Sequence, residues 1–242
     1  MSGSFSLVLI HGHGVDASIW DNIQPELSAD IRVIKPNFAH STSHTTIEAY
    51  AEELNAQLQS AGIDKVVLAG HSMGGYIALA YAERYPEQVH GLVLYHSTAY
   101  ADDADRKIQR QQLIDTMKAQ GGAQFIEKQL PKMVAPHYPA EKTQELVARF
   151  RGLPTEALIA GMKAIAGRPD RTHVLRDAQY PVLLVLGRED QLISVEKTKA
   201  LADLSDRIGV SIIDNAGHLS MIEQPETSVL VLRNFLQQAD KA

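Results

Sequence analysis

The stretch Lys65-Val66-Val67-Leu68-Ala69-Gly70-His71-Ser72-Met73-Gly74-Gly75 decides how the rest of the chain is read. Its first five residues form a short, nearly continuous apolar run, the pattern of a strand covered on both faces. A helical pattern, Ser72–Arg84, begins directly after it. Between the two stands G-x-S-x-G, in the strand–turn–helix setting that this motif requires. The turn is tight, so the residues flanking the serine must be small. Gly70 and Gly74 meet that demand, and Gly75 lets the helix approach the sheet. Ser72 is then presented at the carboxyl end of its strand. The plain alternative is a glycine-rich turn with an incidental serine.

Outward from this turn, five more apolar runs recur: Leu7–Ile10, Ile31–Ile34, Gly91–Tyr95, Val182–Leu186 and Gly209–Ile213. Helical patterns lie between them at Ser18–Leu27, Thr46–Ala61, Val195–Leu204 and Glu226–Gln237. The alternation predicts an α/β fold, with a parallel sheet, right-handed crossovers and helices on both faces. The interval from about Thr98 to Asp177 breaks the rhythm. It holds four helical patterns and no strand: Ala104–Gln120, Ala123–Met133, Glu141–Arg151 and Thr155–Ala166. Such an interval is too long for an ordinary connection. Residues 98–177 are therefore expected to form a helical insertion over one end of the sheet, and 1–97 with 178–242 the core.

Composition narrows the function. The chain has 242 residues, 45% of them hydrophobic, with a net charge of −6, ten His and no Cys. The length suits one domain. Without Cys there is no disulfide, no thiol nucleophile and no Cys-ligated metal site. No basic block points to nucleic acid. No run approaches the ~20 apolar residues of a spanning helix, so no membrane partner is expected. No signal-peptide pattern precedes Leu7, which makes the cytoplasm the expected compartment. The inserted stretch from Asp102 to Asp170 has 11 Lys and Arg against 9 Asp and Glu, too slight an excess to argue for an anionic substrate.

Ten His invite a metal reading, and the spacing does not sustain it. In His11-x-His13, Val15 and Asp16 stand where H-x-H-x-D-H needs Asp and His. His40 and His44 would share a face only on a helix, and their Ser/Thr-rich stretch argues against one. No metal is expected. A dinucleotide is a second rival, because Gly12-x-Gly14-x-x-Ala17 matches G-x-G-x-x-A. That fingerprint wants an acidic residue closing the second strand. Ile34-Lys35-Pro36-Asn37 supplies none, so no cofactor is expected.

A nucleophilic serine needs a base, and the base needs an orienting carboxylate. Both belong on loops after later strands, acid first. Asp190 follows the fifth run in Gly187-Arg188-Glu189-Asp190, with Glu189 its local competitor. His218 follows the sixth in Asn215-Ala216-Gly217-His218. Acyl transfer also needs two backbone N–H groups aimed at the developing oxyanion. Met73, after the serine, and His13, in His11-Gly12-His13-Gly14 after the first run, are the candidates.

With Trp20 and the sequence Gly217-His218 followed by Glu223-Gln224-Pro225, these motifs give a chain that resembles the α/β-hydrolase superfamily from Leu7 to its last helix. It is similar to compact bacterial esterases and lactonases. The resemblance implies about six mostly parallel strands and a helical cap after the fourth. The second strand should lie outside the first and the third on its other side. The resemblance further implies Ser72 as nucleophile, His218 as base, Asp190 as acid, and His13 and Met73 as oxyanion donors. His11, Gly12, Gly14, Gly70, His71 and Gly74 would shape the site. Trp20, His96, Phe125 and Met133 are candidate pocket-lining residues, although packing explains Trp20 and a structural role explains His96 equally well. Met117, Phe150 and Met162 fall on helical spacings that hold the cap together.

Two departures stand out. Only six residues precede Leu7, so the antiparallel first strands usual in members are expected to be missing. After the second strand, members often read Asp-x-x-Gly-His-Gly-x-Ser. The stretch from Asn37 to His44 contains no Gly. The expected activity is hydrolysis of a carboxylic ester with a small or medium acyl group, through an acyl-enzyme. Lactones, N-acyl-homoserine lactones among them, are the alternative substrates. A ligand-binding or signalling protein on the same fold is the alternative of another class. Ser72 argues against a dehalogenase or epoxide hydrolase, which would need Asp as nucleophile.

Overall fold

In the computed structural model, which describes residues 5–241, six strands form one parallel sheet: β1 (Ser6–Ile10), β2 (Val33–Ile34), β3 (Val66–His71), β4 (Val89–Tyr95), β5 (Val182–Gly187) and β6 (Ile208–Ile213). Their order is β2-β1-β3-β4-β5-β6, so β2 lies outside β1 and β3 on its other side. The winding reverses between β1 and β3, and an open α/β sheet forms its ligand crevice at such a point.

The two-residue period of each strand explains why the sheet is covered twice. Leu7, Leu9, Val67, Ala69, Val93 and Tyr95 share one core with Trp20, Val229, Leu232 and Phe235. Val8, Ile10, Val66, Leu68, Leu92 and Leu94 share the other with Tyr50, Leu54, Leu58 and Ile77. The first face is covered by α1 (Gln24–Ser28) and α11 (Pro225–Ala239), the second by α2 (Ile47–Ser60) and α3 (Met73–Arg84).

Several elements differ from the sequence reading. The helix expected over Ser18–Leu27 is a 3-10 turn, Ala17–Trp20, followed by α1. Asp16 caps the turn by accepting the Ser18 N–H at 2.8 Å. Pro25 lacks an N–H and sits where a helix restarts. The second strand keeps only Val33–Ile34, because it is a half-buried sheet edge that Pro36 closes. The helix expected over Val195–Leu204 is α9 (Val195–Lys199) continued by a 3-10 stretch.

Between β4 and β5 lie α4 (Ala104–Gln120), α5 (Gly122–Gln129), α6 (Ala140–Phe150), α7 (Thr155–Gly167) and α8 (Thr172–Arg176). α4 to α7 pack on one another. α8 packs mainly on α3 of the core and on the 3-10 stretch after α9. Arg171, buried just before α8, pairs with Glu48 of α2 at 2.5 Å and with Glu83 of α3 at 2.9 Å. The inserted helices therefore return to the core at Arg171. A short α10 (Ser220–Glu223) precedes α11. No helix among the described residues is long and apolar enough to cross a membrane.

Candidate active site

The turn after β3 holds Ser72 at φ 52°, ψ −115°. A non-glycine residue there costs about 1–3 kcal/mol and persists only when its surroundings over-determine it. The Ser72 N–H donates to the Tyr95 carbonyl at 3.0 Å. Its own carbonyl accepts from the Gly75 N–H at 2.9 Å and the Ser97 hydroxyl at 2.7 Å. A methyl on Gly70 would collide with the Gly74 carbonyl, and one on Gly74 with the carbonyl of Ile10. Small residues on both sides of the serine are thus a packing requirement. Met73 opens α3, where the first N–H groups have no intrahelical partner and the helix dipole favours negative charge.

His218 Nδ1 lies 2.7 Å from Asp190 Oδ2, and both side chains are almost wholly buried. Asp190 Oδ1 also accepts the N–H groups of Leu192 and Ile193, at 2.8 and 3.0 Å. Burial pushes this carboxyl up, but the His218 imidazole, through its charge and its hydrogen bond, outweighs that and holds it well below the usual carboxylate range. Glu189 points elsewhere, to His137 Nδ1 at 3.0 Å near the surface. The structure therefore pairs Asp190, and not its neighbour, with the histidine.

Ser72 and His218 line one cavity of about 100 Å³. His13 and Gly14 reach it from the turn after β1, and Phe125, Met133 and Met162 from the inserted helices. His13 Nε2–H donates to the Leu158 carbonyl of α7 at 2.7 Å. Burial lowers the His13 pKa to about 4, so the ring is neutral at pH 7. Trp20 and His96 are not among the lining residues. Trp20 is fully buried edge-on to Tyr95, ring centroids 5.3 Å apart. His96 sits behind Asp190.

A model of the Alpha/beta hydrolase family matches residues 7–229. The chain belongs to the α/β-hydrolase family. It is 26% identical over 260 residues to a 2-hydroxy-6-oxo-2,4-heptadienoate hydrolase of Pseudomonas putida, spanning 97% of this chain and 90% of that protein. It is 28% identical over 243 residues to a pimeloyl-[acyl-carrier protein] methyl ester esterase of Photobacterium profundum, covering 96% and 94%. Among solved structures it resembles a thermophilic esterase from Thermogutta terrifontis, determined with malate bound. There the TM-score is 0.92 and the identity 27%, over 99% of this chain and 92% of the other.

In this α/β-hydrolase family member three further histidines have their rings tied into hydrogen bonds. His11 donates from Nδ1 to the Gly12 carbonyl at 2.8 Å and accepts the Phe38 N–H on Nε2 at 2.8 Å. It thereby ties the glycine-free loop after β2 to the turn after β1. His71 donates from Nε2 to the His218 carbonyl at 2.8 Å, bridging the serine and histidine loops. His96 accepts the Gly187 N–H on Nδ1 at 3.0 Å, so its proton is on Nε2, which donates to Ser220 Oγ at 2.7 Å. The relay continues from Ser220 Oγ–H to the Tyr95 oxygen, from Tyr95 to Ser228, and from Ser228 back to the Ser220 carbonyl. Burial lowers the pKa of all three rings.

Ligand-type atoms of His96, Asp190 and His218 lie within 4.8 Å of one another. Those on the facing sides are already engaged, His218 Nδ1 with Asp190 Oδ2 and His96 Nδ1 with the Gly187 N–H. The set reads as a hydrogen-bonded cluster rather than an open cage. His40 and His44 lie on irregular chain, and His44 pairs with Glu53 of α2 at 2.6 Å.

Two groups of residues at the site escaped the sequence reading of side-chain roles. Glu223 accepts the N–H groups of Gly217 and Leu219 on either side of His218, and that of Ala135 from the inserted helices at 2.7 Å. Burial raises its pKa. Its signal was the Glu-Gln-Pro that follows Gly217-His218. Arg106 and Arg110, one turn apart on α4, also line the cavity, and no motif announces them.

Proposed function

We propose that this α/β-hydrolase cleaves a carboxylic ester of a small or medium acyl group through Ser72, His218 and Asp190. The observation that carries the reading is the 2.7 Å Asp190–His218 hydrogen bond beside a cavity that His218 shares with the strained Ser72. Ser72 Oγ attacks the ester carbonyl while His218 Nε2 takes its proton. Asp190 holds the tautomer with Nδ1 protonated and stabilises the imidazolium. The N–H groups of Met73 and His13 receive the oxyanion, a donor commonly worth ~3 kcal/mol. His218 then protonates the leaving alcohol, and water, activated by the same histidine, releases the acid.

The inserted helices act as a lid that selects the acyl group. A cavity of about 100 Å³ is smaller than the ~150 Å³ that houses a benzene ring, which favours short chains. p-Nitrophenyl esters of graded length, given to the wild type and to Ser72→Ala, test the proposal. Turnover should peak at short chains and disappear in Ser72→Ala. Equal turnover by both proteins sinks the assignment. Faster opening of lactones than of matched linear esters moves the substrate to the lactone class. Tight binding without turnover makes the protein a receptor.

A further inference from the structure

The charge balance of the inserted stretch is nearly even, but its distribution is not. Arg106 and Arg110 border the Ser72 cavity, and no carboxylate lines it. The same two arginines, with Tyr76, Leu192 and Ile193, border a second hollow of about 100 Å³. That hollow is also lined by Arg168 and Lys197, against Asp102 and Asp103. The two hollows therefore adjoin at these shared residues, and the second is bordered by four cationic and two acidic side chains.

The buried carboxylate there is already shared. Asp102 Oδ1 takes Arg168 Nη2 at 2.8 Å, and Oδ2 takes Arg110 Nε at 3.2 Å. Arg168 spends further donors on the Ile165 and Tyr100 carbonyls and lies over the Tyr76 ring at 4.1 Å. Arg110 differs. Its side chain is only 23% exposed, and beyond Asp102 it meets just the Met162 sulfur, at 3.9 Å. Sulfur is a weak acceptor. The Nη groups of Arg110 thus find no oxygen acceptor among the described residues, nor does the side chain of Arg106. The fork of Arg110 is left open toward the hollow, and a carboxylate is the planar partner that fits it.

We propose that Arg110, assisted by Arg106, binds a carboxylate at the non-reacting end of the substrate, so that the preferred esters are acidic ones such as half-esters of short dicarboxylic acids. This rests on the ester-hydrolase reading above. It also accounts for the short cavity: an apolar chain that outgrows it runs into arginines, whereas an acid-terminated chain finds its partner there.

The test compares matched pairs. p-Nitrophenyl hydrogen adipate is set against p-nitrophenyl methyl adipate, which places the acid in the acyl part. The butyrate ester of 4-hydroxybutyric acid is set against the same ester with its carboxyl methylated, which places it in the alcohol part. In at least one pair the acidic member should have the higher kcat/KM, by about tenfold or more, chiefly through KM. The preference should shrink with added NaCl. It should fall toward one in Arg110→Met and be partly kept in Arg110→Lys. Arg106→Gln, at an exposed position, should lower it several-fold even if Arg110→Met fails to fold. Equal or better use of the neutral member in both pairs overturns the proposal, as does an undiminished preference in Arg110→Met or Arg106→Gln. If no ester is turned over, the hydrolase reading fails by itself. Calorimetric titration of adipate into the wild type then decides the anion site: binding that Arg106→Gln weakens supports it, and no binding at millimolar adipate overturns it.

Discussion

His13 Nε2–H donates to the Leu158 carbonyl at 2.7 Å, joining the turn after β1 to helix α7 of the insertion. Gly161, on the same helix, makes room for the imidazole: a methyl there would stand 2.8 Å from His13 Cδ2. The turn proposed to offer an oxyanion donor is therefore packed directly on a helix that lines the cavity. Gly161→Ala should push them apart. We expect it to cost about 1–3 kcal/mol in urea unfolding, the usual penalty of overpacking, and to lower kcat/KM. A variant with wild-type stability and kinetics would show that the turn and the helix are not coupled.

Asp190 and Glu189 are adjacent carboxylates with different partners. Asp190→Asn leaves the shape but favours the wrong imidazole tautomer, so kcat should drop about 10⁴-fold with little change in KM. Glu189→Gln removes only a contact with half-exposed His137 and should keep kcat within about twofold. Steady-state kinetics on a short-chain ester separates the two.

Strain at Ser72 should be visible as stability. Glycine occupies positive φ without steric cost, so Ser72→Gly should raise the urea midpoint, by about 1 kcal/mol in unfolding free energy, while abolishing turnover. The loss of activity and the gain in stability are measured on the same sample.

Acid should destabilise the fold through its buried rings. In the unfolded chain a histidine takes up its proton near pH 6.5; folded His13 does so only near 4. Between those values the unfolded state binds more protons, so stability falls as the pH drops through that window. His11, His71 and His96 shift the same way. Asp190 has a lowered pKa, so its contribution is present above the ordinary carboxylate range and is lost as the pH falls further. Urea midpoints measured from pH 7 to pH 4 should decline throughout, and His13→Gln should flatten the slope. A midpoint that rises toward pH 4 contradicts this account.

Much of the architecture was legible along the chain because its causes are short-range. Apolar runs of strand length, helical periods between them, and glycines around Ser72 act over a few residues. They were enough to place six strands, the helices of the insertion and the serine turn. Where local signals conflicted, boundaries moved: Pro25 split the first helix and Pro36 trimmed the second strand. α8 was missed because five residues give too little periodicity to read.

Contacts between distant segments obey no such local rule. Glu189 and Asp190 differ by one position. Which of them meets His218 depends on how the loop closes, with the Asp190 N–H on the Gly187 carbonyl at 3.2 Å. Trp20 packs edge-on against Tyr95 instead of lining the cavity, and His96, the residue after β4, lies against Asp190, which stands on a loop far along the chain. Arg106 and Arg110 look like ordinary helix-surface charges until α4 is folded over the sheet and turns them toward the serine. Residue type and spacing along the chain name the chemistry available. The burial of each group, and the partner left for it once β- and α-layers close, decide which of those groups are brought to bear, since hydrogen bonds and desolvation act through space and not along sequence.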